Sequence, residues 1–249
     1  MSADRTLEIA QPISVAEAVH SQSPEIIAAA ASDPALNEDL ALTLLKRPDL
    51  PSQALEALSR NASVTHLRKV RFGLVTHPQT PRHISLPALR HLYTFEVMRV
   101  ALTPIVPADV KRAADEVIVN RLGMISSGEK LSLARRASGR IAGELLLDKE
   151  PRVMRTALEN SRLTESSIVR ALARHDSPAA FIETVSHHPK WSLRREVRIA
   201  LLRHDKTPLA RALEFARSLP AALLREILQT SRLPATSKSY LIRECWKAE

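Results

Sequence analysis

The chain has 249 residues, of which 45% are hydrophobic, and this is enough for a large core in one or two domains. Aromatic residues make up only 3%, and five glycines stand against sixteen prolines. Enzymes generally need glycine for tight turns and for close approach of the backbone to ligands, so this composition favours short helices interrupted by proline over a typical catalytic domain. A single cysteine, Cys245, excludes an internal disulfide framework and a cysteine-based metal cluster.

The net charge of +9 is unevenly distributed along the chain. Residues 1–60 carry a balance of −5, and residues 61–249 carry a balance of +14. This asymmetry indicates an anionic partner for the later part, unless the arginines only cover the solvated outer faces of helices. Apolar runs fall well short of the ~20 residues that span a bilayer, and the N-terminus has no signal-peptide pattern. We therefore expect a cytoplasmic protein without a membrane partner.

In chain order, residues 1–22 carry no strong periodic signal and are expected to form an N-terminal cap or a flexible segment. Residues 23–249 are predicted to form a single repeat domain. Ser23-Pro24-Glu25 is typical of a helix start, and Asp33-Pro34 ends that helix. Two further helical segments follow with equally short proline turns, which predicts that consecutive helices lie side by side and antiparallel.

A helix-and-turn unit of about 14 residues recurs from residue 60 onward, and pairs of units recur at about 28. In most copies an arginine precedes a small-apolar pair, as in Val197–Pro208. Six residues after the leucine of that pair comes a helix-starting threonine or proline, with the threonine predicted as the N-cap. The pairs are Leu74 with Thr80, Leu158 with Thr164, Leu172 with Pro178, and Leu201 with Thr207. One such unit cannot bury its apolar face alone, so the pattern predicts a stack of units.

Three stretches, VRIALLRHDKTP, VRFGLVTHPQTP and KRPDLPSQALEALSRN, resemble units of the HEAT-like superfamily and, more closely, leucine-rich-repeat-variant units. Such units consist of Val-Arg, a small-apolar pair, a polar break, then Thr-Pro and a second short helix. The resemblance covers roughly residues 24–235. It implies an all-α fold, a right-handed α-solenoid superhelix of about 14–16 short antiparallel helices, used as a binding platform.

Four histidines recur in or near the same turn of different units, and this predicts turn residues rather than metal ligands or catalytic groups. They are His77, His175, His188 and His204. No cofactor, metal site or catalytic residue is predicted. The stretch Gly123–Gly128 is interpreted as a glycine helix cap followed by a loop, with a hinge or binding loop as the alternative. Residues 236–249 are predicted as a terminal helix in which Leu241 and Cys245 share a face.

Periodic arginines are the strongest candidates for a binding site. Arranged as a ladder on the concave face, their guanidinium groups would suit phosphates or acidic peptides. The alternative is that each pairs with an acid of a neighbouring unit or caps a helix. The candidates are Arg71, Arg99, Arg140, Arg155, Arg170, Arg194, Arg195 and Arg198. Aromatic residues, which form stacking platforms for single strands, are not interleaved with them.

The function expected from these patterns is a non-catalytic scaffold that holds a protein or peptide partner on its concave face. Nucleic-acid binding through the arginine ladder is the alternative. HEAT-like folds also include DNA glycosylases that recognise alkylated bases. Those enzymes rely on aromatic residues and an acid facing the DNA, and the sequence contains no such cluster, so an enzyme is not expected.

Overall fold

A computed structural model describes residues 14–246, and all regular structure in this range is α-helical. The helices are α1 (Val15–Ala18), α2 (Pro24–Ser32), α3 (Glu38–Leu45), α4 (Ser52–Arg60), α5 (Ala62–Thr65), α6 (Arg68–Thr76), α7 (Arg82–Leu89), α8 (Thr94–Leu102), α9 (Ala108–Arg121), α10 (Ser127–Arg136), α11 (Gly139–Leu145), α12 (Pro151–Leu158), α13 (Glu165–Ala173), α14 (Ala179–His187), α15 (Arg195–Arg203), α16 (Leu209–Arg217), α17 (Ala221–Thr230) and α18 (Ala235–Trp246). The predicted all-α class is confirmed. Leaving aside the four-residue helices α1 and α5, the described range holds sixteen helices, which matches the expected 14–16.

Residues 14–22 form a short cap on the first long helix. Ser14 and Glu17 make a reciprocal capping box: the backbone N–H of Glu17 donates to Ser14 Oγ at 3.3 Å, and that of Ser14 donates to Glu17 Oε2 at 3.2 Å. The chain then buries Val19 completely, and α1 packs against α2. Residues 1–13 lie outside the described range, so the expected N-terminal cap or flexible segment over residues 1–22 stays a prediction.

The Thr-Pro turns differ from the sequence-based expectation. Pro81 and Pro208, rather than the threonines before them, are the N-cap residues of α7 and α16. Each threonine instead turns back into the preceding unit: Thr80 Oγ1 donates to the carbonyl oxygen of Leu74 at 2.6 Å, and Thr207 Oγ1 donates to that of Leu201 at 2.5 Å. The buried hydroxyl thus satisfies a helix-terminal carbonyl of the preceding helix, which explains the six-residue spacing.

Helix contacts divide the chain into two compact units, residues 1–117 and 118–249. In the described part of the first unit, α3, α6 and α8 pack in one row, and α2 packs on α4. Leucine and alanine fill the space between the rows, with Leu44, Leu55 and Leu58 fully buried. Burial of apolar side chains between short helices supplies the stability that helices of eight or nine residues lack alone.

In the second unit, alternate helices pack on one another. The odd row contains α11, α13, α15 and α17; in the even row α10, α12 and α14 are in contact, as are α16 and α18. Phe181 and Phe215 are the largest fully buried side chains between the rows. Within these groups, the packing of helices on the next but one is compatible with a helical repeat stack. The right-handed superhelix itself stays a prediction.

The connecting turns of the second unit fall on two edges. The first edge contains the turns α10–α11, α12–α13, α14–α15 and α16–α17, and the second edge contains the turns α11–α12, α13–α14, α15–α16 and α17–α18. Hydrogen bonds run between turns of the same edge. Arg162, for example, reaches the carbonyl of Arg136, while Lys206 reaches that of Ser177.

The sequence predicted a terminal helix at the end of the second unit and a glycine-capped loop near its start. The predicted terminal helix is present as α18, which packs on α16 and α17 with Leu241 fully buried and Cys245 half-buried. The predicted glycine cap is absent: Gly123 lies before α10 and Gly128 lies in its first turn, and no described glycine has a positive φ. Ser126 caps α10 with a capping box to Glu129, so the helix begins two residues earlier than expected.

Candidate binding surfaces

A recurrent polar residue follows the helices at the turns and ties successive units together. Its side chain accepts a hydrogen bond from the backbone N–H two residues later. These residues, with the N–H donors, are Asp33 with Ala35, Asn61 with Ser63, His77 with Gln79, Asn160 with Arg162, His188 with Lys190, His204 with Lys206, and Ser231 with Leu233. In several copies the opposite end of the side chain bonds a group about one repeat earlier in the chain.

That second bond is clearest at the amides. Asn61 Nδ2 donates to the carbonyl oxygens of Ala31 at 3.0 Å and Asp33 at 2.9 Å. Asn160 Nδ2 donates to the carbonyl oxygen of Ala134 at 2.7 Å. Both asparagines are buried, so each bond satisfies a carbonyl that water cannot reach. Sequence reasoning missed the asparagines because it followed the histidines alone.

The four histidines lie at or near turns, as predicted, and two of them also contact a group about one repeat earlier. His77 Nε2 lies 2.9 Å from the carbonyl oxygen of Arg47, and His188 Nε2 lies 3.0 Å from Glu159 Oε1. His175 differs: it is exposed, and its Nδ1 accepts a hydrogen bond from Arg232. Within residues 14–246, no group of three or more His, Cys, Asp or Glu side chains is arranged to hold a metal ion.

Three of the eight candidate arginines are engaged within the protein. Arg71 Nη2 donates to the carbonyl oxygen of Thr65, and Arg198 Nε donates to that of Ser192, in both cases six residues earlier. Arg99 places its guanidinium group 4.5 Å from the ring centre of Phe72. Arg71 and Arg198 are each the fourth residue of their helix, which explains their shared role. They fasten turns and are half-buried.

The side chains of four other candidates are exposed and have no hydrogen-bond or ion-pair partner within residues 14–246. They are Arg155, Arg170, Arg194 and Arg195. The expectation that each arginine pairs with a neighbouring acid therefore does not describe these four. Arg140, the remaining candidate, makes an internal interaction and is exposed.

Equal spacing in sequence does not place these arginines at equivalent helix positions. In the odd row, Arg140 is the second residue of α11, Arg170 the sixth of α13 and Arg198 the fourth of α15. Residues four apart on a helix share a face, so Arg140 and Arg170 both line a shallow groove between α11 and α13. Arg198 lies on another face of its helix.

A groove in the second unit lies between α12 and α14 of the even row. Its volume is about 590 Å³, and its floor is apolar, formed by Pro151, Met154, Leu158, Ala180 and Pro189. Charged and polar side chains at its rim are Arg155, Glu159, Glu183, Thr184, His187 and His188. Arg155 is among the arginines predicted from the sequence, whereas Glu183 is not among the predicted binding residues.

Across this groove, Arg155 and Glu183 are each the fifth residue of their helix, α12 and α14. They therefore occupy equivalent positions with opposite charges. Neither forms an ion pair with a side chain of residues 14–246, so both charges are available to a partner. An apolar floor between two unpaired opposite charges is an arrangement that can orient a peptide segment.

A second groove follows the odd row between α13 and α15 and reaches the end of α17. Its volume is about 320 Å³, and it combines Val169, Leu172 and Ile199 with Glu196, Arg203 and Arg232. Arg232 is held by His175 and by a backbone bond to Arg203. This groove is smaller and partly occupied by its own side chains.

The sequence and the fold have no match among protein-family models, curated proteins or solved structures. None of the helices within residues 14–246 combines the length and the apolar character needed to cross a bilayer. Function must therefore be argued from the surfaces described above.

Proposed function

We propose that the protein is a non-catalytic helical-repeat scaffold that binds a peptide segment of a partner protein. The observation that carries this proposal is the groove between α12 and α14, with its apolar floor and its unpaired Arg155 and Glu183. The partner segment would insert an aliphatic side chain over Met154 and Leu158. An acidic residue of the segment would pair with Arg155, and a basic one with Glu183.

The repeat architecture supports this assignment. Turn residues and buried side chains hold the helices through contacts with neighbouring units, and the outer face of each row is left to solvent. Binding on such a face needs no movement of the core. Residues that fasten turns, such as Arg198, are poor probes of binding because replacing them would disturb the fold itself.

The test uses a substitution that fills the groove. Ala180 is exposed and lines the floor, so Ala180→Arg would obstruct the groove without altering the core. Ala222→Arg, at an exposed position on α17 in the other row, is the matched control. Peptides selected from a random displayed library against the wild-type protein would then be measured by fluorescence polarisation.

We expect selected peptides to carry an aliphatic residue between opposite charges and to bind Ala180→Arg at least about tenfold more weakly, a loss of about 1.4 kcal/mol. Ala222→Arg should bind as the wild type does. Circular dichroism and thermal melting should show that both variants remain folded. Selected peptides that bind both variants equally would refute the groove as the site.

A further inference from the structure

The first edge of the second unit is a row of turns joined by hydrogen bonds. Three hydrogen bonds join the α12–α13 turn to the end of α10 and the turn after it. Asn160 Nδ2 donates to the carbonyl oxygens of Ala134 at 2.7 Å and Ala137 at 3.3 Å, and Arg162 Nη1 donates to that of Arg136 at 3.2 Å. These bonds fix the separation and orientation of two successive turns.

The next two turns continue the row. Trp191 Nε1 donates to the carbonyl oxygen of Leu158 at 2.9 Å, which joins the α14–α15 turn to the end of α12. Arg198 then bridges two turns, donating from Nε to the carbonyl oxygen of Ser192 at 2.7 Å and from Nη1 to Ser218 Oγ at 3.2 Å. All four turns are thus held in a continuous series.

Exposed cations lie along the whole of this first edge. They are Arg135, Arg136, Arg162, Lys190, Arg194, Arg195 and Arg217. Within residues 14–246, none of them forms an ion pair with a carboxylate. Acidic residues of this edge have other partners. Glu159, at the end of α12, contacts His188. Glu165 and Glu196 lie in the first turns of α13 and α15, where the helix dipole stabilises their negative charge.

On the second edge the turns carry acids that take up several of the cations. Lys130 Nζ lies 2.8 Å from Asp148 Oδ2, and Arg174 Nη2 lies 2.8 Å from Asp176 Oδ2. Lys206 donates to the carbonyl oxygen of Ser177. The second edge therefore neutralises several of its cations internally, whereas none of the seven cations named on the first edge is paired with a carboxylate within residues 14–246.

We propose that the first edge binds the phosphate backbone of duplex nucleic acid. Neighbouring helices of a row lie about 8–10 Å apart, so four turns present cations over about 30 Å, the length of roughly nine base pairs. Guanidinium groups match phosphate oxygens in geometry as well as in charge. A row held by hydrogen bonds loses little conformational freedom when it binds.

Two observations favour a duplex over other polyanions. Trp191, the aromatic residue of this edge, is buried beneath Lys190, so the described edge offers no stacking platform for unpaired bases. Among the described residues of this edge, Leu193 is the one large apolar side chain that is strongly exposed. A protein partner generally requires a cluster of apolar anchors. Phosphate binding needs neither. The inference does not depend on the peptide groove, since neither Ala180 nor Glu183 lies on this edge.

The test compares two variants of the full chain that lose the same charge. Arg136→Ala/Arg194→Ala/Arg195→Ala removes three cations of the first edge. Lys149→Ala/Arg152→Ala/Arg203→Ala removes three exposed cations from the second edge, none of which is ion-paired within residues 14–246. Binding of a fluorescein-labelled 20-base-pair DNA duplex would be followed by anisotropy between 50 and 200 mM salt.

We expect the wild type to bind with an affinity that falls steeply with salt, and the first-edge variant to bind at least about tenfold more weakly. Its slope of log affinity against log salt should be smaller by about 2–3, since each lost phosphate contact removes about 0.9. The second-edge variant should retain most of the wild-type affinity and most of its salt dependence.

Four results would overturn the proposal. The first is undetectable binding of the duplex by the wild type at 100 mM salt. A second is equal weakening in both variants, which would reflect net charge alone. The third is tighter binding of the single strand than of the duplex. Equally tight binding of a polyglutamate of matched charge, which would point to an acidic protein segment instead, is the fourth.

Discussion

His204 shows how one turn residue can make stability depend on pH. It is 1% exposed, its Nδ1 accepts the N–H of Lys206 at 3.1 Å, and its Nε2 has no partner within residues 14–246. Burial lowers the pKa of this imidazole below its ordinary value. Asp205, with Oδ1 3.1 Å from Nδ1, acts in the opposite direction, while Arg232, Lys206 and His175 add to the lowering.

Replacing His204 by asparagine should reduce the loss of stability in acid. The unfolded chain takes up this proton near pH 6.5, whereas the folded protein takes it up only at lower pH. The stabilising contribution is therefore complete above pH 6.5 and is lost as the pH falls through the lowered folded pKa. Asparagine provides the same acceptor without titrating, as Asn61 and Asn160 do.

Urea unfolding at pH 7.5, 6.5 and 5.5 tests this prediction. The wild type should lose more unfolding free energy between pH 6.5 and 5.5 than His204→Asn does. His83→Asn, at an exposed position on α7 in the first unit, provides a control for the general titration of histidines. Superimposable pH profiles of the wild type and His204→Asn would contradict the assignment.

At this scale, the turn histidines could be predicted from recurrence, but the complete set of turn residues could not. Imidazole, amide, carboxylate and hydroxyl groups all fill the same position, as His77, Asn61, Asp33 and Ser231 show. Different residue types at one position conceal a repeat. The second partner of each, about one repeat earlier, is visible only in the folded chain.

At the scale of elements, the start of α11 depends on a close approach between two turns of the first edge. A Cβ atom at Gly139 would overlap the backbone carbonyl oxygen of Arg162, which cannot move without shifting the α12–α13 turn. Gly128, in the first turn of α10, has no neighbouring atom within 4 Å of such a Cβ. Two helical glycines in one unit thus differ in their surroundings.

Gly139→Ala should therefore destabilise the protein by about 1–3 kcal/mol, as overpacking usually does. Gly128→Ala should stabilise it by about 0.4–1 kcal/mol, because alanine has the higher helix propensity and restricts the unfolded chain. Chemical denaturation of both variants measures the two values. Equal effects of the two substitutions would show that Gly139 is not restricted by Arg162.

Helix starts explain why the arginine ladder was only partly predictable. The N-caps of α11, α13 and α15 are Ser138, Thr164 and Arg194, so the spacing changes from 26 to 30 residues. Three of the four extra residues lie in α13 and α14, which are longer than α11 and α12, and one lies in the α14–α15 turn. Residues 28 apart in the sequence therefore lie on different faces of successive helices. Arg198, for example, lies where its side chain bonds the preceding turn at Ser192. The spacing of apolar residues and the proline turns were enough to predict the helices. The direction of each arginine side chain depends on where its helix begins, which the sequence pattern did not give.

At the scale of the whole second unit, the odd-row helices contact one another in succession, as do α10, α12 and α14 of the even row. Stability in such a stack is approximately a sum of unit terms and nearest-neighbour terms. Removal of one inter-turn contact should therefore loosen nearby units more than distant ones. Asn160 is the sharpest probe, because it is 1% exposed and joins the α12–α13 turn to the end of α10.

Asn160→Ala should lower the unfolding free energy by about 1–3 kcal/mol, since buried carbonyls of Ala134 and Ala137 would lose their donor. Native-state hydrogen exchange should accelerate most in α10–α13 and much less in α17 and α18. Ser161→Ala, at the exposed neighbouring position, should leave the exchange pattern unchanged. Uniform acceleration across the second unit would show that it unfolds as one cooperative body rather than as a stack of coupled neighbours.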